Sequence, residues 1–254
     1  MPTSTIRPSE GAARRATVDA AVFEAVERLL SEGAGYPELS VAAIATEAGV
    51  ARSTFYVHFA DKTELLVRLA GETTADIFAA AYEWTDRSAH GGEPDTHRAA
   101  LEITCGRIVA DYRRHRHVLA AVQAATGYDP EIARFWNERI EGFAAHAADR
   151  LRDAQARGLV NPDVNLQQTS LMAAWAIERT VARVVQTSGP EHDAELAGTI
   201  ARGLWLMTFG DTGFADTGLA DTGLADTGSG DTGSGDTGFA DTGFGNSTDR
   251  PGMG

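Results

Sequence analysis

Apolar residues between Val18 and Phe209 recur every three or four positions, and hardly any stretch alternates in twos, so the chain up to about residue 210 predicts as all-α. Val18, Val22, Val26, Leu29 and Leu30 form the stripe of a first amphipathic helix, which Gly33, Gly35 and Pro37 bring to an end. Two short helices follow, at about 40–48 and 52–59, with Gly49 breaking the chain between them. A longer helix is expected from after Asp61 to beyond Trp84. Residues 86–95, with Gly91, Gly92 and Pro94, read as a loop. Further helices are expected at about 96–114, 118–125, 130–157, 165–187 and 191–209. Asp129-Pro130-Glu131 provides an N-cap, a first-position proline and a first-turn acid, Gly158 can stop that long helix, and Pro190 opens the last one.

The densest local signal lies between Ser40 and Lys62. Ile44, Ala48, Val50, Phe55 and Phe59 are spaced to meet in one small core between the two short helices. Ala45 allows close helix approach, and Gly49 can take the positive-φ turn that joins them. This is the logic of a helix-turn-helix. With Phe55 and Phe59 inward, Arg52, Ser53, Tyr56 and Val57 fall on the opposite face, free to enter a major groove.

The run Gly49-Val50, Arg52-Ser53-Thr54, Tyr56-Val57-His58-Phe59 and Lys62 resembles the TetR family of regulators, over roughly residues 14–68. The resemblance implies an N-terminal three-helix DNA-binding domain followed by a helical ligand-sensing and dimerisation domain. It also implies that Arg52, Ser53 and Thr54 face bases while Ser40, Tyr56, His58 and Lys62 reach phosphates. The chemistry is compatible with those roles. Arg can bond a guanine edge bidentately, and a hydroxyl or Lys suits a phosphate oxygen. Plainer readings stand beside them: Ser40 as a helix cap only, and Tyr56 and His58 as half-buried helix residues. On this division residues 1–13 are a flexible basic arm, 14–60 the DNA-binding domain, 61–210 the sensor and dimer domain, and 211–254 a tail. Arg7, Arg14 and Arg15 would add phosphate or minor-groove contacts, or simply form a solvated basic end.

The C-terminal two-thirds of the chain carries much of the aromatic mass. Ile132, Phe135, Trp136, Ile140, Phe143 and Leu151 make a stripe wider than one helix neighbour needs, and a pocket for an apolar ligand is one explanation. Residues 115–210 also resemble the ethionamide-resistance regulator branch of the family through Val118-Leu119, Ala121-Val122, Arg134-Phe135-Trp136, Ala156-Arg157-Gly158 and Glu178-Arg179-Thr180. That branch implies an apolar ligand channel. Its expected lining here is Phe78, Tyr82, Trp84, Tyr112, Trp136, Phe143, Trp175 and Ile177, with Ala174 and Ile177 standing where polar amides would be expected. The last two helices would pair with their symmetry mates through Leu171, Trp175, Val181, Val184, Val185, Leu196, Ile200, Leu204 and Met207. The function implied is that of a ligand-responsive repressor. It would bind palindromic operator DNA as a homodimer and be released by an apolar small molecule.

Composition changes this picture in one respect. The net charge of −14 is unusual for a DNA binder, but eight Asp from Asp211 onward, against Arg250 alone, account for half of it. They sit in seven Asp-Thr-Gly-x-x pentapeptides at 211–245, a low-complexity segment expected to be disordered. The body is only mildly acidic, so a nucleic-acid surface must be a local basic patch, and a histone-like binder is disfavoured. Cys105 is alone, which excludes an intramolecular disulfide. Without an apolar leader or a window of about 20 apolar residues, a cytoplasmic location is expected, with no membrane partner. Two rival classes remain. A helical small-molecule-binding enzyme would need chemistry that is scarce here: no phosphate loop, nucleophile elbow or metalloprotease motif occurs, and His115 and His117 point to different sides of a helix. No cofactor, metal or catalytic residue is expected. An architectural DNA-binding protein is the other alternative, and an operator footprint separates the two.

Overall fold

The computed structural model describes residues 10–88 and 94–210. The expected tail at 211–254, Arg7, and residues 89–93 of the expected loop lie outside the described residues. Among the described residues every regular element is helical: α1 (Glu10–Ser31), α2 (Val41–Glu47), α3 (Arg52–His58), α4 (Lys62–Thr73), α5 (Ala75–Ser88), α6 (Pro94–Arg114), α7 (Arg116–Ala125), α8 (Pro130–Ala156), α9 (Leu166–Thr187) and α10 (Asp193–Phe209), with one 3-10 turn before α10. The all-α fold class therefore stands.

The boundaries follow from local chemistry. Ser40 caps α2 by accepting from the Ala43 N–H at 3.0 Å, and Gly49 turns the chain at φ 68°. Asp61 caps α4, Asp129 caps α8 through the Glu131 and Ile132 N–H groups, and Asn165 caps α9. Gly158, at φ 76°, ends α8.

Two expectations need correction. The helix from 62 to 85 is two helices. Thr74 is fully buried and its Oγ1 donates to the Ala70 carbonyl at 2.7 Å, in competition with the backbone ladder, while its φ and ψ are −97° and 1°. The apolar period runs on across this joint, which is why the pattern did not show it. The second correction concerns the arm expected at 1–13, because α1 already begins at Glu10.

Helices α1 to α3 form the head. Val22, Val26, Ile44, Phe55 and Phe59 are essentially solvent-free, and Phe59 lies 5.9 Å from the Phe23 ring and 5.4 Å from the Phe55 ring. Burial of each such ring contributes about 1.5–3 kcal/mol. The head rests on the body through α1 and α4, which pack on α7, and through α4 against α8. Polar ties reinforce that seat: Thr63 Oγ1 donates to Asp129 at 2.6 Å, and His115 Nδ1 lies 3.0 Å from Glu27. In the body, α8 packs on α5 and α9, and α10 packs on α6 and α9. Arg113, near the end of α6, fastens this arrangement. It donates to the carbonyls of Val185, Ser188 and Gly189 and reaches both oxygens of Asp193 at 2.6 Å.

Candidate nucleic-acid interface and ligand cavity

The reading face of the head is built by α3. Because Phe55 is buried on one side, Arg52, Ser53, Tyr56 and Val57 are exposed on the other, Val57 at 69%, with Thr54 half-buried. The Arg52 guanidinium lies over the Tyr56 ring at 5.7 Å. A surface notch beside α3 brings Ser40, Tyr56 and Lys62 together, lined also by Leu39, Val41, Asp61 and Thr63.

Two expected phosphate contacts are placed differently. The His58 side chain is only 9% exposed and its Nδ1 lies 2.6 Å from Asp19 Oδ1. Arg68 donates to the other oxygen of Asp19 and, at 2.9 Å, to the His58 carbonyl. His58 therefore fastens α3 to α1 and α4 and does not share the notch. Lys62 borders the notch, yet its Nζ donates to the carbonyls of Tyr36, Pro37 and Leu39 at 3.1, 2.9 and 2.7 Å. An ammonium has three donors, so all are engaged within the head. Burial holds the Lys62 pKa below its usual value. Arg15 is likewise tied down, donating to the Val57 carbonyl at 3.2 Å. Sequence reasoning missed these ties because each joins residues 23 to 49 positions apart, or, for the His58 carbonyl, adjacent helices.

The body encloses a cavity of about 130 Å³ between five helices. Ile77, Phe78, Ala81, Trp84 and Thr85 line it from α5; Leu101, Thr104, Cys105, Ile108 and Tyr112 from α6; Ile140, Phe143, Ala147 and Leu151 from α8. Thr169, Ser170, Ala173, Ala174, Ile177 and Glu178 contribute from α9, with Ile200, Leu204 and Thr208 from α10. Of the eight expected lining residues, Phe78, Trp84, Tyr112, Phe143 and Ile177 meet there. Three do not. Trp136 is 1% exposed and belongs to the core beneath. Tyr82 borders a separate groove with Phe135, Glu138 and Arg139. Trp175 is half-buried on α9 and carries the Arg179 guanidinium 5.8 Å above its ring.

The cavity wall is mostly apolar. Thr85 and Thr104 hydroxyls donate back to Ala81 and Ala100 of their own helices. Burial, and then the Glu178 carboxylate, push the Tyr112 phenol far above its ordinary value, so it stays neutral. Burial likewise pushes the Cys105 thiol up to about 12, which leaves it unreactive. Ser170 and Glu178 were not anticipated. The signal that could have found them is their helical spacing with Ala173, Ala174 and Ile177 on α9.

A helix-turn-helix head with an exposed reading face, seated on a hollow helical body, defines a DNA-binding regulator. Two family models match this chain: "Bacterial regulatory proteins, tetR family" over residues 22–69, and "Transcriptional regulator EthR, C-terminal domain" over residues 101–209. Together the two models span more than half of the chain, which belongs to the TetR family of transcriptional regulators and whose body matches the EthR C-terminal domain. The HTH-type transcriptional regulator EthR of Mycobacterium tuberculosis (strain ATCC 25618 / H37Rv) is 25% identical over 138 residues, covering 54% of this chain and 62% of that protein. The match thus spans less than two thirds of the relative's length. The fold is shared with a TetR-family regulator from Mesorhizobium loti (TM-score 0.60, 18% identity, covering 80% of this chain and all of that one). It is shared too with the transcriptional regulator FadR of Bacillus subtilis, solved in complex with stearoyl-CoA (TM-score 0.59, 18% identity, covering 75% of this chain and 98% of that one). Both family models describe regulators and not enzymes. Among the described residues no helix is long and apolar enough to cross a membrane.

Proposed function

We propose that this chain is a cytoplasmic, ligand-responsive repressor that binds a palindromic operator as a homodimer and lets go when an apolar small molecule enters the body. The observation that carries this reading is one of continuity. Helix α5 forms a wall of the cavity, and Thr74 joins it directly to α4, which packs beside the head and holds it through Arg68 and Lys62. A ligand that displaces Phe78 or Trp84 therefore acts on α4 through the joint at Thr74. The B. subtilis FadR, which shares this fold, was solved with stearoyl-CoA, whose acyl chain is apolar.

The DNA roles divide accordingly. Arg52, Ser53 and Thr54 read bases, and Ser40 and Tyr56 reach phosphates, with Lys62 lending charge to the notch while its protons hold the head together. The dimer face is the outside of α9 and α10. Leu171, Met172 and Leu206 are exposed there at 39, 55 and 37%, whereas Val181 and Val185 are buried within the protomer and Ile200 and Leu204 face the cavity. Exposed apolar residues beside the small Ala194 and Gly198 of α10 suit close packing of a second copy. Selection of bound fragments from random DNA, followed by footprinting, tests the whole proposal. The expected result is protection of one palindrome with half-sites about 34–36 Å apart, lost on adding an apolar compound that raises the melting temperature. Protection without symmetry, or indifference to every stabilising compound, would overturn it.

A further inference from the structure

The cavity wall is mostly apolar, with Thr85, Thr104, Tyr112, Thr169, Ser170, Glu178 and Thr208 as its polar side chains. Among the described residues lining it, Glu178 is the single charged side chain, 2% exposed. Its Oε1 accepts from Gln123 Nε2 at 2.7 Å, and Oε2 has no hydrogen-bond partner. Arg179 Nε comes within 3.2 Å of Oε2, in ion-pair range without hydrogen-bond geometry, and Arg179 is itself 59% exposed and no part of the wall. Two turns away on α9, about 12 Å along the axis, Ser170 Oγ is also buried and unpartnered. A buried acceptor without a donor costs about 1–3 kcal/mol, more when it is charged, and natural cores rarely keep one without a use.

Resting on the effector reading above, we infer that the effector is an apolar molecule with a hydrogen-bond donor at one end, an ammonium or a hydroxyl, which Glu178 Oε2 accepts. After burial, Glu178 helps to raise the pKa of the neighbouring Tyr112 phenol, and Arg179 opposes it. A buried carboxylate on the wall disfavours anions and leaves acceptor-only groups unpaired, so the site would discriminate by the direction of the hydrogen bond and not by shape alone. Fatty acids and other carboxylates are the wrong polarity for Glu178, and ketones and ethers fill the space without completing the bond. The body of the molecule packs against Phe78, Ile108, Phe143 and Ile177. Ser170, as both donor and acceptor, tolerates either kind of second polar atom.

The test compares four eight-carbon probes on the full-length protein by calorimetry and thermal melting: 1-octanol, 2-octanone, octylamine and octanoate. The expected result is that 1-octanol binds at least about tenfold tighter than 2-octanone and octanoate. Octylamine against 1-octanol then tells whether the donor is preferred charged. In Glu178→Gln the side chain can offer either an acceptor or a donor, and the advantage of 1-octanol over 2-octanone should fall below about twofold. The ranking on the unmodified protein needs no variant, so a poorly folded Glu178→Gln leaves the test intact. Equal binding of 1-octanol and 2-octanone, or tightest binding of octanoate, overturns the donor inference while the effector reading stands. If none of the four binds, the effector reading falls with it.

Discussion

Filling the cavity with a side chain gives the sharpest check on the coupling between body and head. An empty apolar void destabilises a core by roughly 24 cal/mol per Å³, so the 130 Å³ between α5, α6, α8, α9 and α10 corresponds to about 3 kcal/mol that a ligand or a side chain can recover. Ala174 is the natural site. It is 9% exposed, lies on the cavity wall, and its Cβ belongs to a rigid helix. Leucine there occupies part of the void. Ala174→Leu should therefore raise stability by about 1–2 kcal/mol, or about 2–8 °C in melting temperature for a body of this size. It should also weaken binding of 1-octanol at least about tenfold, since the two compete for one space. Ala174→Trp goes past the void, and overpacking is expected to cost about 1–3 kcal/mol. If occupancy shifts α5, both variants lower operator affinity without ligand, each tenfold loss corresponding to about 1.4 kcal/mol. Gel-shift titration at fixed salt, paired with thermal melting, measures both quantities. An Ala174→Leu protein that is less stable than the parent and still binds 1-octanol fully would show that the void is in the wrong place. A stabilised variant that holds operator normally would refute the coupling alone.

Four further predictions rest on single residues. Arg52→Ala should cost about 1–3 kcal/mol on the preferred operator and relax discrimination among variants of it, as read by competition binding, whereas unchanged discrimination would remove Arg52 from base readout. Lys62→Met should lower the melting temperature and weaken every DNA sequence alike, because it strips three carbonyls in the 36–39 turn of their donor; a pure change in salt dependence with normal stability would instead favour direct phosphate contact. Asp19→Asn removes the charge that holds His58 and Arg68 and should destabilise by about 1.5–3 kcal/mol in denaturant titrations, with urea unfolding unchanged as the contrary result. Asp129 is held below its ordinary value of 3.8, chiefly by the Thr63 hydroxyl and then by the Ile132 and Glu131 N–H groups, against the opposing effect of burial. Its contribution is thus present above that ordinary value and lost as the pH falls through the lower folded value. Thr63→Val should bring the acid-unfolding midpoint closer to neutrality, and an unshifted midpoint would deny the bridge any role in stability.

Much of the architecture was legible because it depends on local rules. Gly49, the Ser40 cap and the inward pair Phe55 and Phe59 determine the helix-turn-helix and, with it, the outward face of Arg52, Ser53 and Tyr56. These are matters of helical period and of one backbone position at φ 68°. The break at Thr74 was not legible. A buried threonine that bonds back to Ala70 leaves the apolar spacing intact, so only the backbone angles reveal it. The cavity was legible as an excess of aromatic residues but not as a list of walls. Trp136 and Trp175 share the helices and the chemistry of true lining residues, and they differ only in which neighbour each helix turns toward.

The sequence by itself determined an all-helical chain, a reading helix with its basic and hydroxyl side chains on one face, and a body too rich in apolar surface for a single layer of neighbours. Periodicity, caps and turn residues act within a few positions, so those features survive without knowledge of the rest of the fold. Tertiary structure alone decided that His58 and Lys62 hold the head together, that Arg113 fastens three helices, and that Glu178 Oε2 is buried without a hydrogen-bond donor beside a mostly apolar cavity. In each case a polar group takes its role from a partner tens of residues away or from the absence of one, and the cost of leaving it buried and unpaired depends on distances that only packing sets.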